Sequence, residues 1–147
     1  MSSLTVLDYP VTDQALSAAV DLTARQERER LSASALKAFF NLMNQWNIRD
    51  EDARALLGGL SNGPYYAWKK QPDRLLDADV LTRISYLIGI FKALHILYGE
   101  KLADRWVGLA NTNRIFGGKA PLDYMMRGGL PAMQTVRRLL DARRGGM

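Results

Sequence analysis

A chain of 147 residues with 48% hydrophobic residues is long enough to bury roughly two-thirds of its unfolded surface as one domain, or as a small domain with an appendage. It contains no cysteine, which excludes disulfides, thiolate nucleophiles and cysteine metal sites and fits a reducing cytoplasm. A net charge of +5 and a pI near 9.7 favour an anionic partner, of which nucleic acid is the commonest.

The chain opens with an extended stretch to Pro10, followed by a helix-compatible run from Asp13 to about Arg30 that carries Ala15, Leu16, Ala19, Val20 and Leu22. The end of that run, Arg25 to Arg30, is wholly polar, so residues 1–30 are expected to form a weakly attached arm or helix. No basic-then-apolar signal pattern is present, and neither export nor a membrane is expected. From Ser32, a candidate cap, Leu36, Phe39, Phe40, Met43 and Trp46 recur at helical spacing and predict an amphipathic helix to about Asn47.

A short helix is predicted over 50–57. Asp50, Glu51 and Asp52 fill its first turn, Ala53, Leu56 and Leu57 face inward, and Gly58-Gly59 stop it. Ser61 or Asn62 then caps a second helix, which tolerates Pro64 in its first turn, turns Tyr65 and Trp68 inward and closes at Gln71-Pro72. A short helix, a glycine turn, a polar cap and a second helix have the spacing of a helix-turn-helix. The second helix would expose Asn62, Tyr66, Lys69 and Lys70, with Ser61 at its cap. Amides and hydroxyls read base edges and lysines neutralise phosphates, so these five residues are the candidate DNA contacts and operator DNA the partner they imply. Against this, any two short helices around a glycine turn share the pattern. Arg54 also stands where one register of the motif takes an apolar residue, and only two lysines lie on the reading helix.

Between Asp77 and Tyr98 the apolar residues Val80, Ile84, Leu87, Ile88, Phe91 and Leu94 form a helical stripe. Leu81, Ile90 and Leu97 widen it until little polar surface remains. Asp77 or Asp79 caps its start and Gly99 its end, which makes this the central strut, covered on most sides. Arg83 and Lys92 interrupt it, so it is not read as a membrane span. A short amphipathic helix is predicted from Glu100 to Leu109, with Leu102, Ala103, Trp106, Val107 and Leu109 as its apolar set. The loop from Ala110 to Pro121 has glycines but no Gly-Lys-Ser/Thr ending, so it is not a phosphate-cradling loop. One or two helical turns over 121–126 stop at Gly128-Gly129. A last helix from Pro131 then places Met133, Val136, Leu139 and Leu140 inward. Strand-type alternation is missing throughout. The expected fold is all-α: a helix-turn-helix N-terminal half over 31–99, including the long central helix, and a small helical C-terminal half over 100–147.

Catalytic chemistry has no foothold in this sequence. The sole histidine, His95, lies on the apolar stripe, where a structural role is expected. The carboxylate pairs Asp50/Asp52 and Asp77/Asp79 sit at helix starts, where capping explains them. No catalytic residue, metal site or cofactor is expected. The last twenty-one residues carry five arginines against Asp141 alone, which reads by itself as a solvated basic face or as a complement to the helix C-terminal dipole.

Several segments, taken in order, resemble the Xre-type antitoxins that carry an MbcA/ParS-like toxin-binding domain. They are Leu36 to Phe40, Ala53 to Gly58, Trp68-Lys69, Arg83 to Leu94, Trp106, Asn111, Phe116 to Gly118, Pro121 to Met125, Gly128-Gly129 and Val136 to Gly145. The resemblance covers about residue 31 to the C-terminus. It implies an antitoxin encoded beside a RES-domain toxin that depletes NAD, with the C-terminal domain binding the toxin, its tail reaching the toxin's cleft, and the helix-turn-helix half binding the operon's promoter. On that resemblance the toxin contact falls to Arg114, Arg127, Arg137, Arg138, Arg143, Arg144 and Gly145. The competing reading is a stand-alone helix-turn-helix regulator whose C-terminal half only dimerises. A homodimer is expected under both, because paired half-sites are read through a two-fold axis.

Overall fold

Leu81, Ile84, Leu87, Ile88, Ile90, Phe91, Ala93 and Leu94 are all fully buried, and on one helix they cover most of the way round its axis. A helix apolar on most sides has to be covered on most sides by its neighbours. The computed structural model describes residues 23–145 and shows the covering. Its helices are α1 (Arg25–Gln45), α2 (Asp50–Leu56), α3 (Asn62–Lys70), α4 (Ala78–Trp106) and α5 (Pro121–Gly145), with a 3-10 turn at Arg114–Phe116. No strand occurs among the described residues. The central helix α4 receives α1 from the N-terminal half and α5 from the C-terminal half, and α2 touches α5. By length and composition α4 could cross a bilayer, but here it is the strut of the core.

Two glycines bend the long helices. The Asp77 carboxylate caps α4 by accepting from the Val80 amide at 2.9 Å, and the helix breaks at Gly99, whose φ of 76° and ψ of 175° suit essentially glycine alone. Past the bend, Asp104 turns back: one carboxylate oxygen lies 2.9 Å from His95 Nε2, and the other accepts from Gln45 Nε2 at 3.1 Å. The His95 side chain is 4% exposed and its ring lies 4.1 Å from that of Phe91. The lone histidine therefore braces the Gly99 bend against α1. In α5 the break falls at Gly129 (φ 66°, ψ −146°), between the turns begun at Pro121 and the run that buries Met133, Val136 and Leu140. A Cβ on the preceding Gly128 would lie 2.6 Å from that of Ala132.

Gly129→Ala is expected to cost about 1–3 kcal/mol through backbone strain, read as a lowered urea midpoint. Gly108→Ala, with no positive φ and only the Arg105 carbonyl near its added Cβ, at 3.8 Å, should leave the midpoint nearly unchanged.

The polar segment Arg25 to Arg30 is the first two turns of α1 rather than a loose arm. Its charges pair along the helix, Arg25 with Glu29 and Arg30 with Glu27. Ser32 is accordingly no cap. Buried within α1, its hydroxyl donates to the Arg28 carbonyl and accepts from the Leu76 amide, tying the approach to α4 onto α1. Leu102 and Leu109, expected to face inward, are 43% and 41% exposed, because the Gly99 bend rotates the inward face onto Ala103, Trp106 and Val107. The stretch expected to be extended to Pro10, the first part of the run expected from Asp13, and Gly146 lie outside the described residues.

Candidate functional sites on the reading helix and the C-terminal half

The helix-turn-helix is closed by one arginine and one aspartate. Gly58 and Gly59, at φ 98° and 86°, reverse the chain after α2. Arg54, polar where an apolar residue was expected, donates from Nε to the Leu60 carbonyl at 3.0 Å and from Nη1 to the Asn62 side-chain oxygen. It thereby fastens the turn to the start of α3. Behind α3, Tyr65 is buried and stands edge-on to Phe40, and Trp68 is half-buried. All five candidate DNA residues are exposed, with Ser61 at the N-cap position of α3 and Asn62, Tyr66, Lys69 and Lys70 on the helix itself.

They are not equally free. The Asp50 carboxylate accepts from Tyr65 Oη at 2.6 Å, Lys69 Nζ at 2.8 Å and Tyr66 Oη at 3.2 Å. The Lys69 and Tyr65 hydrogen bonds hold Asp50 below the usual carboxylate range, while burial and then the hydrogen bond to Asp50 push the Tyr65 phenol up. Lys69 thus spends its charge within the protein. Asn62 has its oxygen engaged by Arg54, so its NH₂ remains to donate to an acceptor on a base edge.

The seven candidate toxin-contact residues divide into two groups. Arg114 and Arg127 are brought to one groove of about 410 Å³, lined also by Ile115, Phe116, Gly117, Lys119, Asp123, Tyr124 and Gly128. The others follow along α5. Arg137 Nε bonds both oxygens of Asp141 at 3.1 Å, and Arg144 lies 3.6 Å from the same carboxylate. Arg143 Nη1 donates to Tyr98 Oη at 2.6 Å, which fixes the end of α5 to α4, whereas Arg138 and Gly145 are exposed. Arg137, Arg143 and Arg144 therefore sit on a folded helix with partners within the protein.

Both halves of this arrangement have counterparts. The chain matches the antitoxin Xre-like helix-turn-helix domain over residues 23–89 and the antitoxin Xre/MbcA/ParS C-terminal toxin-binding domain over residues 93–146. The chain belongs to the Xre/MbcA/ParS antitoxin family. This antitoxin is 38% identical over 112 residues to an uncharacterised protein, y4oB, of Sinorhizobium fredii, a similarity that spans 76% of this chain and 84% of that one. No solved structure matches it. The helix α4 serves both domains, the first match ending at Gly89 and the second beginning at Ala93.

Sequence reasoning passed over three residues that shape these sites. Asp50 looked like a helix-start carboxylate, and only the fold brings it under α3. Lys119 looked like a loop residue, but Gly117 and Gly118 at φ 59° and 84° turn the chain so that it joins Arg114 and Arg127. Arg83, paired with Asp79 at 2.8 Å, lies between the two halves: a Cβ on Gly58 would be 3.4 Å from its Cζ, and one on Gly129 3.8 Å from its Nη atoms. The pairing of left-handed glycines with an arginine one turn into the central helix was the available signal.

Proposed function

We propose that this antitoxin neutralises a RES-domain toxin that depletes NAD, occluding the toxin's active site with its C-terminal region, and that it autoregulates its operon as a homodimer bound to operator DNA in the cytoplasm. The observation that carries the reading is the match of residues 93–146 to a toxin-binding domain, together with exposed cations on that half at Arg114, Lys119, Arg127, Arg138 and Arg144. A cleft made for an anionic dinucleotide is open to guanidinium groups that pair with its carboxylates or engage the bound substrate. Operator binding draws its support from the helix-turn-helix match and the exposed face of α3. The stand-alone regulator draws on that same match but leaves the toxin-binding half without a task.

The test is intracellular NAD in cells expressing the reading frame beside this one, with and without the antitoxin. NAD is expected to collapse with the neighbour alone and to hold when both are made. Level NAD in both cultures would remove the RES partnership and leave the regulator.

A further inference from the structure

We infer that the groove between the 3-10 turn and the start of α5 receives an acidic segment of the toxin, one in which carboxylates flank an aliphatic or aromatic side chain. The inference rests on the neutralisation reading and specifies which surface does the binding and what chemistry it selects.

The groove is built in advance. Its floor is Phe116 and Tyr124, perpendicular rings 5.3 Å apart, and Trp106 meets Phe116 at 6.0 Å, joining α4, the 3-10 turn and α5. Its rim is held by local hydrogen bonds. Asn113 Oδ1 accepts from the Ile115 amide, Asn111 Oδ1 from the Asn113 amide, the Lys119 carbonyl from the Asn111 amide, and the Val107 carbonyl from the Leu122 amide at 2.8 Å. A surface that needs no ordering on association loses less entropy when a partner docks.

The rim is cationic and the wall apolar. Arg114, Lys119 and Arg127 are exposed, and the single carboxylate of the groove, Asp123, lies 3.5 Å from Arg127. Two positive charges are left for a partner. Between them Ile115 is 39% exposed beside the ring floor. Charge complementarity selects a carboxylate-bearing segment, and an aliphatic wall selects an apolar anchor within it. A nucleic-acid backbone fits less well, because the exposed Ile115 wall takes an apolar side chain, which a sugar-phosphate chain does not carry.

The experiment uses the full chain and the toxin. Toxin affinity is measured by calorimetry for the unaltered antitoxin, for an Arg114→Glu/Lys119→Glu double variant and for Lys37→Glu, an exposed lysine on α1. The double variant is expected to bind about 30-fold more weakly with an unchanged melting temperature, and Lys37→Glu within about twofold of the unaltered protein. Because the chain has no cysteine, Ile115→Cys carries a single photo-crosslinker, and its adduct should map to a carboxylate-rich toxin segment. Binding of the double variant within about threefold of the unaltered protein would overturn the groove while leaving neutralisation standing. So would an adduct on a segment without carboxylates, or protection of the Ile115→Cys thiol by duplex DNA but not by toxin. No toxin binding by the unaltered chain overturns both.

Discussion

Phe116→Ala is expected to destabilise the antitoxin by about 3–5 kcal/mol, the usual cost of deleting a buried ring, and to do so unevenly. Phe116 is 3% exposed and is the middle ring between Trp106 and Tyr124, so its loss takes away both edge contacts and the packing that seats the 3-10 turn. The turn, the bend after Gly99 and the start of α5 depend on it, while α1, α2 and α3 contribute no ring to that chain. Native-state hydrogen exchange should therefore show protection lost first over residues 107–128, with the amides of α1 and the first half of α4 protected until global unfolding. Toxin affinity is expected to fall with the groove. Equal loss of protection across all helices would mean that the two halves unfold as one unit. Arg83 between Gly58 and Gly129, and α4 shared by both domains, are the features that would impose such coupling.

What could be read in the sequence followed from periodicity and from glycines. The stripe from Val80 to Leu94 required a strut covered on most sides, and Gly58-Gly59, Gly99 and Gly129 fell where the chain changes direction, because positive φ excludes almost every other residue. The start of α1 was hidden, because a polar run stabilised by pairs such as Arg25–Glu29 carries no hydrophobic pattern, and because Ser32 has the chemistry of a cap whether or not it is one. Leu102 and Leu109 could not be oriented without the geometry of the Gly99 bend. At the candidate sites the residue types were legible and their company was not. Lys69 as a phosphate contact and Asp50 as a helix-start acid are each reasonable from local sequence, and only the fold reveals that each is the other's partner across 19 residues. Arg114 and Arg127 were legible as cations, whereas their groove depends on Lys119 and on rings contributed by separate elements.

That partnership sets the sign of the second large effect. On the operator-binding reading, Asp50→Asn is expected to tighten DNA binding about tenfold at low salt, and Lys69→Ala to weaken it only slightly. In the native protein Lys69 Nζ is bonded to Asp50 at 2.8 Å, and the first turn of α2 adds Glu51 and Asp52, so the lysine reaches a phosphate only after leaving a carboxylate. An asparagine at 50 still accepts from Tyr65 and keeps α3 seated, but it removes one negative charge from beside the reading face and releases the ammonium. The salt dependence carries the decisive information, because each additional phosphate neutralised steepens the slope of log affinity against log salt by about 0.9. Asp50→Asn should show a slope steeper by nearly one unit than the native protein, and Lys69→Ala added to Asp50→Asn should return it. If Lys69→Ala alone flattens the slope by a full unit, Lys69 already breaks from Asp50 in the native complex, and Asp50 is then a partner of Tyr65 and Tyr66 that does not restrain DNA binding.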